Sequence, residues 1–352
     1  MVAVFEVKFY CLIMKKFLII CFIFFMLGSC ILMWHLYTME LDYKKIVFVL
    51  PSSKRISSPY SYKRCGDFFL AKDLKAGFEK LGYNVEYRFR EDYDNLNLGD
   101  AGNVIYFKGY YVYKKIPKDF VWKRKNILYV YYMEGLSPYL LQDADVVVSA
   151  SEKFIEHHVK PKGLKGYVVP QFTNPERFKN DGVEEDKKTE VLFVGSNNYG
   201  ADRLSVKYAK ELGLNLSLYG KQWNKKEYAD VLKADFVDND ELHKYYTNAK
   251  IVLNDHRAEM AYYGFVSNRI YDVSASGGFI FTDYVQEIEQ AYGDSIAMYK
   301  NFDEFKEKVV YYLEHEEERK EMIKKAQEIT LKEFTNIRAA EKFDLILKNI
   351  IK

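Results

Sequence analysis

The chain has 352 residues, room for two domains of about 150 residues each. Apolar residues make up 49% and charged residues 29%, a balance that folds around a core and excludes a disordered protein. Lys and Arg number 52 against 50 Asp and Glu; the net +2 argues against a dedicated nucleic-acid binder, which needs a concentrated basic face.

Cys11, Cys21 and Cys30 precede the folded body and leave Cys65 alone within it, so an internal disulfide and a cysteine zinc site are unsupported. A reducing compartment fits. Residues 17–34 (FLIICFIFFMLGSCILMW) carry no charge, and as a helix they would cross a hydrocarbon layer of ~30 Å. Lys15 and Lys16 flank one end; Trp34 and Tyr37 mark the other. The stretch reads as an N-terminal transmembrane helix, with residues 1–43 as a membrane anchor or signal segment. A cleaved signal starting at Met14 and a start-site artefact are the alternative readings. The expectation is a single-pass protein that meets membrane lipid and keeps its folded body in the cytoplasm.

After Tyr43 strand and helix alternate. KIVFVL (residues 45–50) is apolar, β-branched and ended by Pro51, the pattern of a parallel strand buried on both faces. The spacing of Phe69, Leu70, Leu74 and Phe78 predicts a helix over 66–81, with Gly82 just past its end. Strands follow from Asn84, Asn103, Asn126, Ala144 and Gly166. Residues 44–178 thus form a first doubly wound domain, and the polar stretch 179–189 is a linker. Residues 190–352 restart the alternation: strands from Glu190, Asn215, Lys250 and Gly277, helices between them, and a charged amphipathic tail from Asp303. The predicted fold class is α/β, two Rossmann-like domains facing a cleft. The basic, Tyr-rich stretch 108–125 is placed near the membrane or an acceptor rather than on nucleic acid.

No P-loop, G-x-G-x-x-G fingerprint, G-x-S-x-G elbow or H-E-x-x-H occurs, which removes most common α/β enzymes. The informative stretch is LNDHRAEMAYYGFVSNRIYDVSASGGFIFTD (residues 253–283). A strand ends in polar residues, at the edge where open sheets bind ligands. Ser267 is expected to cap a helix that opens with Asn268, Arg269 and Asp272, whose free N–H groups favour a diphosphate. Arg269 and Asp272 share a face: they would serve phosphate charge and sugar hydroxyls, or form an ordinary surface ion pair. Asp238-Asn239-Asp240 has a D-x-D form but reads, with Glu241, as a capping box, so no metal site is assigned.

NRIYDVSASGGFIFTD resembles the signature region N-x-R-x-x-E-x-x-A-x-G-x-x-x-x-x-D of GT-B glycosyltransferases similar to family 4, above all the CgeB-type subset. FVGSNNYGADR, LSLYGKQW and IVLNDHR resemble that family's neighbouring turns and strands, and the likeness runs over residues 191–338. It implies a nucleotide sugar as substrate, no separate cofactor, a glycan, lipid-linked or protein acceptor, and a part in cell-surface glycan synthesis. By the same resemblance Asp272 stands for the ribose-binding Glu. Gly264 stands where the related pattern has its first Glu, which favours the CgeB-type subset over a retaining mechanism. Donor-binding candidates are Gly195, Lys221, Arg257, Asn268, Arg269, Asp272 and Gly277. Glu134, at the end of the fourth strand, and His256 are the candidate catalytic groups. The rival expectations are a binding protein that keeps the fold without turnover, and an exported two-lobed binding protein.

Overall fold

The computed structural model describes residues 39–58, 61–63, 65–108, 123–131, 141, 143–197, 203–224 and 226–351, with isolated positions 22, 25, 26, 28, 29 and 31. Two parallel six-stranded sheets form two lobes among these residues. The first contains β1 (Asp42–Val49), β2 (Asn84–Arg88), β3 (Ala101–Lys108), β4 (Lys125–Val130), β5 (Val146–Ser149) and β6 (Gly166–Val168), in the order β2-β1-β3-β4-β5-β6. The second contains β7 (Thr189–Val194), β8 (Leu216–Tyr219), β9 (Leu232–Ala234), β10 (Ala249–Leu253), β11 (Ile280–Asp283) and β12 (Ala297–Tyr299), in the order β12-β11-β10-β7-β8-β9. In the second sheet the order reverses between β7 and β10. Open α/β sheets bind ligands beyond the carboxyl ends of strands at such a reversal.

The burial explains the strands. Ile46, Val47, Phe48 and Val49 are fully covered on both faces, as expected for a central parallel strand. Helix α1 (Gly66–Lys80) ends where predicted: Leu81 caps it and Gly82 takes the left-handed conformation at φ 75°. Later helices are α2 (Leu204–Glu211), α3 (Leu242–Thr247), α4 (Ala258–Tyr263), α5 (Asn268–Ala275), α6 (Gln286–Tyr292), α7 (Phe302–Glu314), α8 (Glu316–Glu333) and α9 (Asn336–Ile351).

The chain crosses between the lobes twice, side by side. Thr173 N–H donates to the Phe334 carbonyl (2.9 Å), and Asn336 N–H donates to the Thr173 carbonyl (2.7 Å). After the second crossing α9 joins the first lobe. Its Ala339, Ala340, Phe343, Ile346 and Leu347 lie on one helical face and enter the core around β1. Phe343 meets Tyr129 edge-on at 5.2 Å and Phe78 at 6.0 Å, pairs worth about 0.5–1.5 kcal/mol each beyond their buried area.

Among the described residues no helix is long and apolar enough to cross a membrane. This corrects the expected N-terminal transmembrane helix; most of residues 1–43 lie outside the described residues, as do 109–122 of the basic stretch. Residues 238–241 form no capping box either. Asp238 Oδ1 accepts from the Asp240 N–H (3.0 Å) in a turn, and α3 starts later with Glu241 at its cap.

Gly77 is where α9 touches α1. A Cβ there would lie 2.3 Å from the Asn336 carbonyl oxygen and 3.0 Å from Ala340 Cβ. In an open helix Gly→Ala stabilises by about 1 kcal/mol. Gly77→Ala is predicted instead to destabilise by about 1–3 kcal/mol through overpacking, read as a lower urea midpoint. A raised midpoint would contradict this contact.

Candidate functional site

A cleft of about 500 Å³ lies between the lobes. The second lobe supplies the ends of β7 and β8, the loop after β10 and the first turn of α5. The first lobe supplies the start of α1, Tyr131 and Gln171. Gly195, Lys221, His256, Arg257, Asn268, Arg269 and Asp272 all line it.

The floor of the second-lobe side is backbone packed on backbone. Gly220 has φ 141°, and a Cβ on it would lie 2.1 Å from the Gly195 carbonyl oxygen. A Cβ on Gly195 would fall 2.9 Å from the Arg269 guanidinium. Trp223 Nε1 donates to the Gly195 carbonyl at 2.9 Å and locks the crossing. Only glycine at both positions lets the two strand ends approach this closely.

Arg269 reaches back from α5 to these strand ends. Its guanidinium donates to Asn254 Oδ1 at 2.6 Å and to the Val194 carbonyl, and it stacks 5.0 Å from the Phe193 ring. It forms no ion pair with Asp272. Asp272 is buried, and accepts from Asn268 Nδ2 at 2.7 Å through one oxygen. The Thr173 hydroxyl lies near enough to its carboxyl to favour the anion, while Asn268 Oδ1 and Arg269 Nε are buried without a protein partner. Two buried polar atoms left unmatched at one helix start call for a partner from outside the protein. Burial pushes the Asp272 carboxyl up to about 7; nearby Arg177 and the Thr173 hydroxyl oppose this and Asp73 adds to it.

Ser267 occupies the cap position of α5, but its side chain makes no capping bond. Its N–H donates instead to His256 Nε2 at 2.9 Å, while His256 Nδ1 meets Asp283 Oδ1 at 2.7 Å. The backbone donor fixes the tautomer: Nε2 accepts and Nδ1 carries the proton. Both ring nitrogens are engaged, so His256 has no lone pair left for an acceptor proton, and it positions the loop ahead of α5. Asp255 is similarly committed, accepting from Ser205 N (3.0 Å) and Ser205 Oγ (2.7 Å) and pairing with Arg203 at 2.6 Å.

Lys221 carries no ion pair among the described residues, so its ammonium is available to an anion. Gly277 lies away from the cleft: at φ 75° it follows the end of α5 beside Asn180. Gly264 is called for by the backbone: it ends α4 in the left-handed conformation at φ 72°, which favours glycine. Glu134 lies outside the described residues. The cleft also holds Asp67, on α1, which carries none of the motif spacings and was not legible as a site residue.

Residues 202–344 match the glycosyl transferase-like family. The spore protein CgeB of Bacillus subtilis (strain 168) is 26% identical over 271 residues, 70% of this chain and 80% of that protein. Among solved structures, AviGT4, a glycosyltransferase involved in avilamycin A biosynthesis, superposes with TM-score 0.61 at 15% identity, covering 87% of this chain and 98% of its own. An alpha-glucosyltransferase in complex with UDP-glucose and DNA superposes with TM-score 0.60 at 10% identity, covering 88% and 99%. The chain has the GT-B glycosyltransferase fold and is related to CgeB.

Asp272 makes folding pH-dependent. Its folded value is raised, so the stability it allows is full below the unfolded carboxylate value of about 4. That stability is lost as pH rises through about 7. Asp272→Asn is predicted to flatten this decline. Thermal midpoints of both proteins from pH 4 to 8 check it; parallel curves would contradict the burial argument.

Proposed function

We propose that this CgeB-related GT-B chain transfers a sugar from a nucleotide sugar to a hydroxyl of a glycan, lipid-linked or protein acceptor. The observation that carries the reading is Asp272: a buried carboxyl in the first turns of α5 that lines the interlobe cleft beside the unmatched Asn268 Oδ1 and Arg269 Nε. In this reading it accepts from a ribose hydroxyl, with Asn268 beside it. The leaving diphosphate lies against the α5 amino terminus and Lys221, whose charge stabilises the departing oxygen. Arg257 lines the same wall. Arg269 acts through geometry, holding α5 to the ends of β7 and β10. Protein cations and the helix end then carry the charge of the leaving group, and the proposal assigns no metal to that task. Nucleotide-sugar binding by the UDP-glucose-bound structural relative agrees in kind.

A thermal-shift screen with UDP, GDP, ADP and CMP, followed by calorimetry, tests the reading. At least one nucleoside diphosphate is predicted to bind. Lys221→Ala is predicted to weaken it about tenfold, the loss of one charge-assisted contact of about 1.4 kcal/mol. Asp272→Ala is predicted to weaken it at least as much, with the circular dichroism of both variants unchanged. Unaltered affinity in both would remove the donor site from this cleft.

A further inference from the structure

Another hollow, of about 400 Å³, lies on the far side of α4 from the cleft. That volume is within the range of small-molecule sites. Helix α4 is the partition. Met260 lines the cleft, and the next two residues, Ala261 and Tyr262, line the hollow. A helix with its side chains is about 10–12 Å across, so the two spaces are one helix width apart. Both lobes build the hollow. Lys153 and His157 come from the helical segment after β5, and Tyr284, Val285 and Gln286 from the end of β11 into α6.

Its chemistry is mixed in a particular way. Tyr263 pins α4 to the first lobe: its hydroxyl meets His158 Nε2 at 2.9 Å and its carbonyl accepts from Ser151 Oγ. The preceding Tyr262 is instead displayed, 64% exposed, and meets Tyr263 only edge-on at 5.0 Å. Tyr284 is fixed by its hydroxyl, which donates to Glu289 Oε2 at 2.7 Å, with the Lys300 ammonium 4.6 Å from its ring. Val285 is buried, while His157 and Gln286 are exposed polar groups. Lys153 is paired with Glu287 at 2.9 Å, so its charge is already matched. Two tyrosine rings on an apolar base, ringed by an amide and an imidazole, suit a sugar ring. Its C–H face lies on an aromatic ring and its hydroxyl edge meets the polar groups. A lipid tail or an apolar peptide would call for a continuous apolar surface, which these polar groups interrupt.

We propose that this hollow is a saccharide subsite that holds an inner sugar of the acceptor while the end of the same chain lies in the cleft. The acceptor is then an oligosaccharide chain that passes over α4, and Tyr262 and Tyr284 bind it away from the reacting atoms. The inference rests on the transferase reading above and narrows its acceptor to a glycan.

Cellohexaose, maltohexaose, chitohexaose and mannohexaose, each with its monosaccharide, are the probes for calorimetry on the full chain. At least one hexasaccharide is expected to bind, at least about tenfold tighter than its monosaccharide. Tyr262→Ala is expected to weaken that hexasaccharide about tenfold, the scale of one stacked ring, and Tyr262→Phe to stay within about threefold of the unsubstituted chain. Tyr284→Leu is expected to weaken it as well. Nucleoside diphosphate affinity is expected to stay within about twofold in all three variants, since none of them touches the cleft. Four results would overturn the proposal while leaving the donor reading intact: no hexasaccharide bound, unaltered affinity in Tyr262→Ala, binding only of phosphatidylglycerol vesicles, or a dimer that Tyr262→Ala dissociates. A chain that binds a hexasaccharide through Tyr262 but no nucleoside diphosphate would overturn the donor reading and leave the saccharide site standing.

Discussion

The two lobes are held in register by a buried ion pair between Asp73 of α1 and Arg177 of the crossing segment. Their side chains are only 4% and 10% exposed. Asp73 also accepts from Asn174 Nδ2 at 3.0 Å, and its carbonyl accepts from Asn336 Nδ2 at 3.0 Å. Arg177 goes on to Asn239 of the second lobe and lies 4.2 Å from the Phe178 ring. One residue of α1 thus binds the outgoing crossing through its carboxylate and the start of α9 through its carbonyl, and through Arg177 it reaches the loop before α3. Loss of one member of such a pair leaves a buried charge unmatched, at a cost of about 3–5 kcal/mol.

The same pair sets the chemistry of the cleft. Arg177 draws the Asp272 carboxyl down and Asp73 pushes it up, so the donor wall feels the charge balance of the interlobe joint. Because α1 starts at the cleft with Asp67 and carries Asp73 two turns later, the joint also fixes how far the first-lobe carboxylate stands from the second-lobe diphosphate site. A second contact line closes the opposite side. Phe265 packs into the first lobe's core against Phe154 at 5.8 Å, and Ser151 Oγ donates to the Tyr263 carbonyl. The segment that carries His256 and leads into α5 is therefore clamped from both lobes.

Much of the fold was legible because local pattern and burial agree. The β-branched run of β1, the helical stripe of α1 and the turn glycine at Gly82 each follow from a short window of sequence. Strand β9 did not, because Lys233 and Ala234 are exposed at a sheet edge and carry no apolar signal. Helix α4 is only six residues long, too short for its spacing to declare it, although Gly264 after AEMAYY marks its end. An amphipathic stripe says that α9 buries a face; it does not say that the partner is α1, more than 250 positions earlier. The site divides in the same way. Asn268, Arg269 and Asp272 share one turn and could be read together, and Gly195 and Lys221 sit at strand ends. Asp67 and the Asp73–Arg177 pair depend on contacts between distant segments that no spacing encodes.

Hydrogen exchange read by mass spectrometry, with and without the nucleoside diphosphate that binds, tests the central claim most directly. The account predicts slowed exchange in residues 194–197, 220–223 and 266–273, which meet at the second-lobe wall of the cleft. Protection confined to other segments, with these three unchanged, would contradict it.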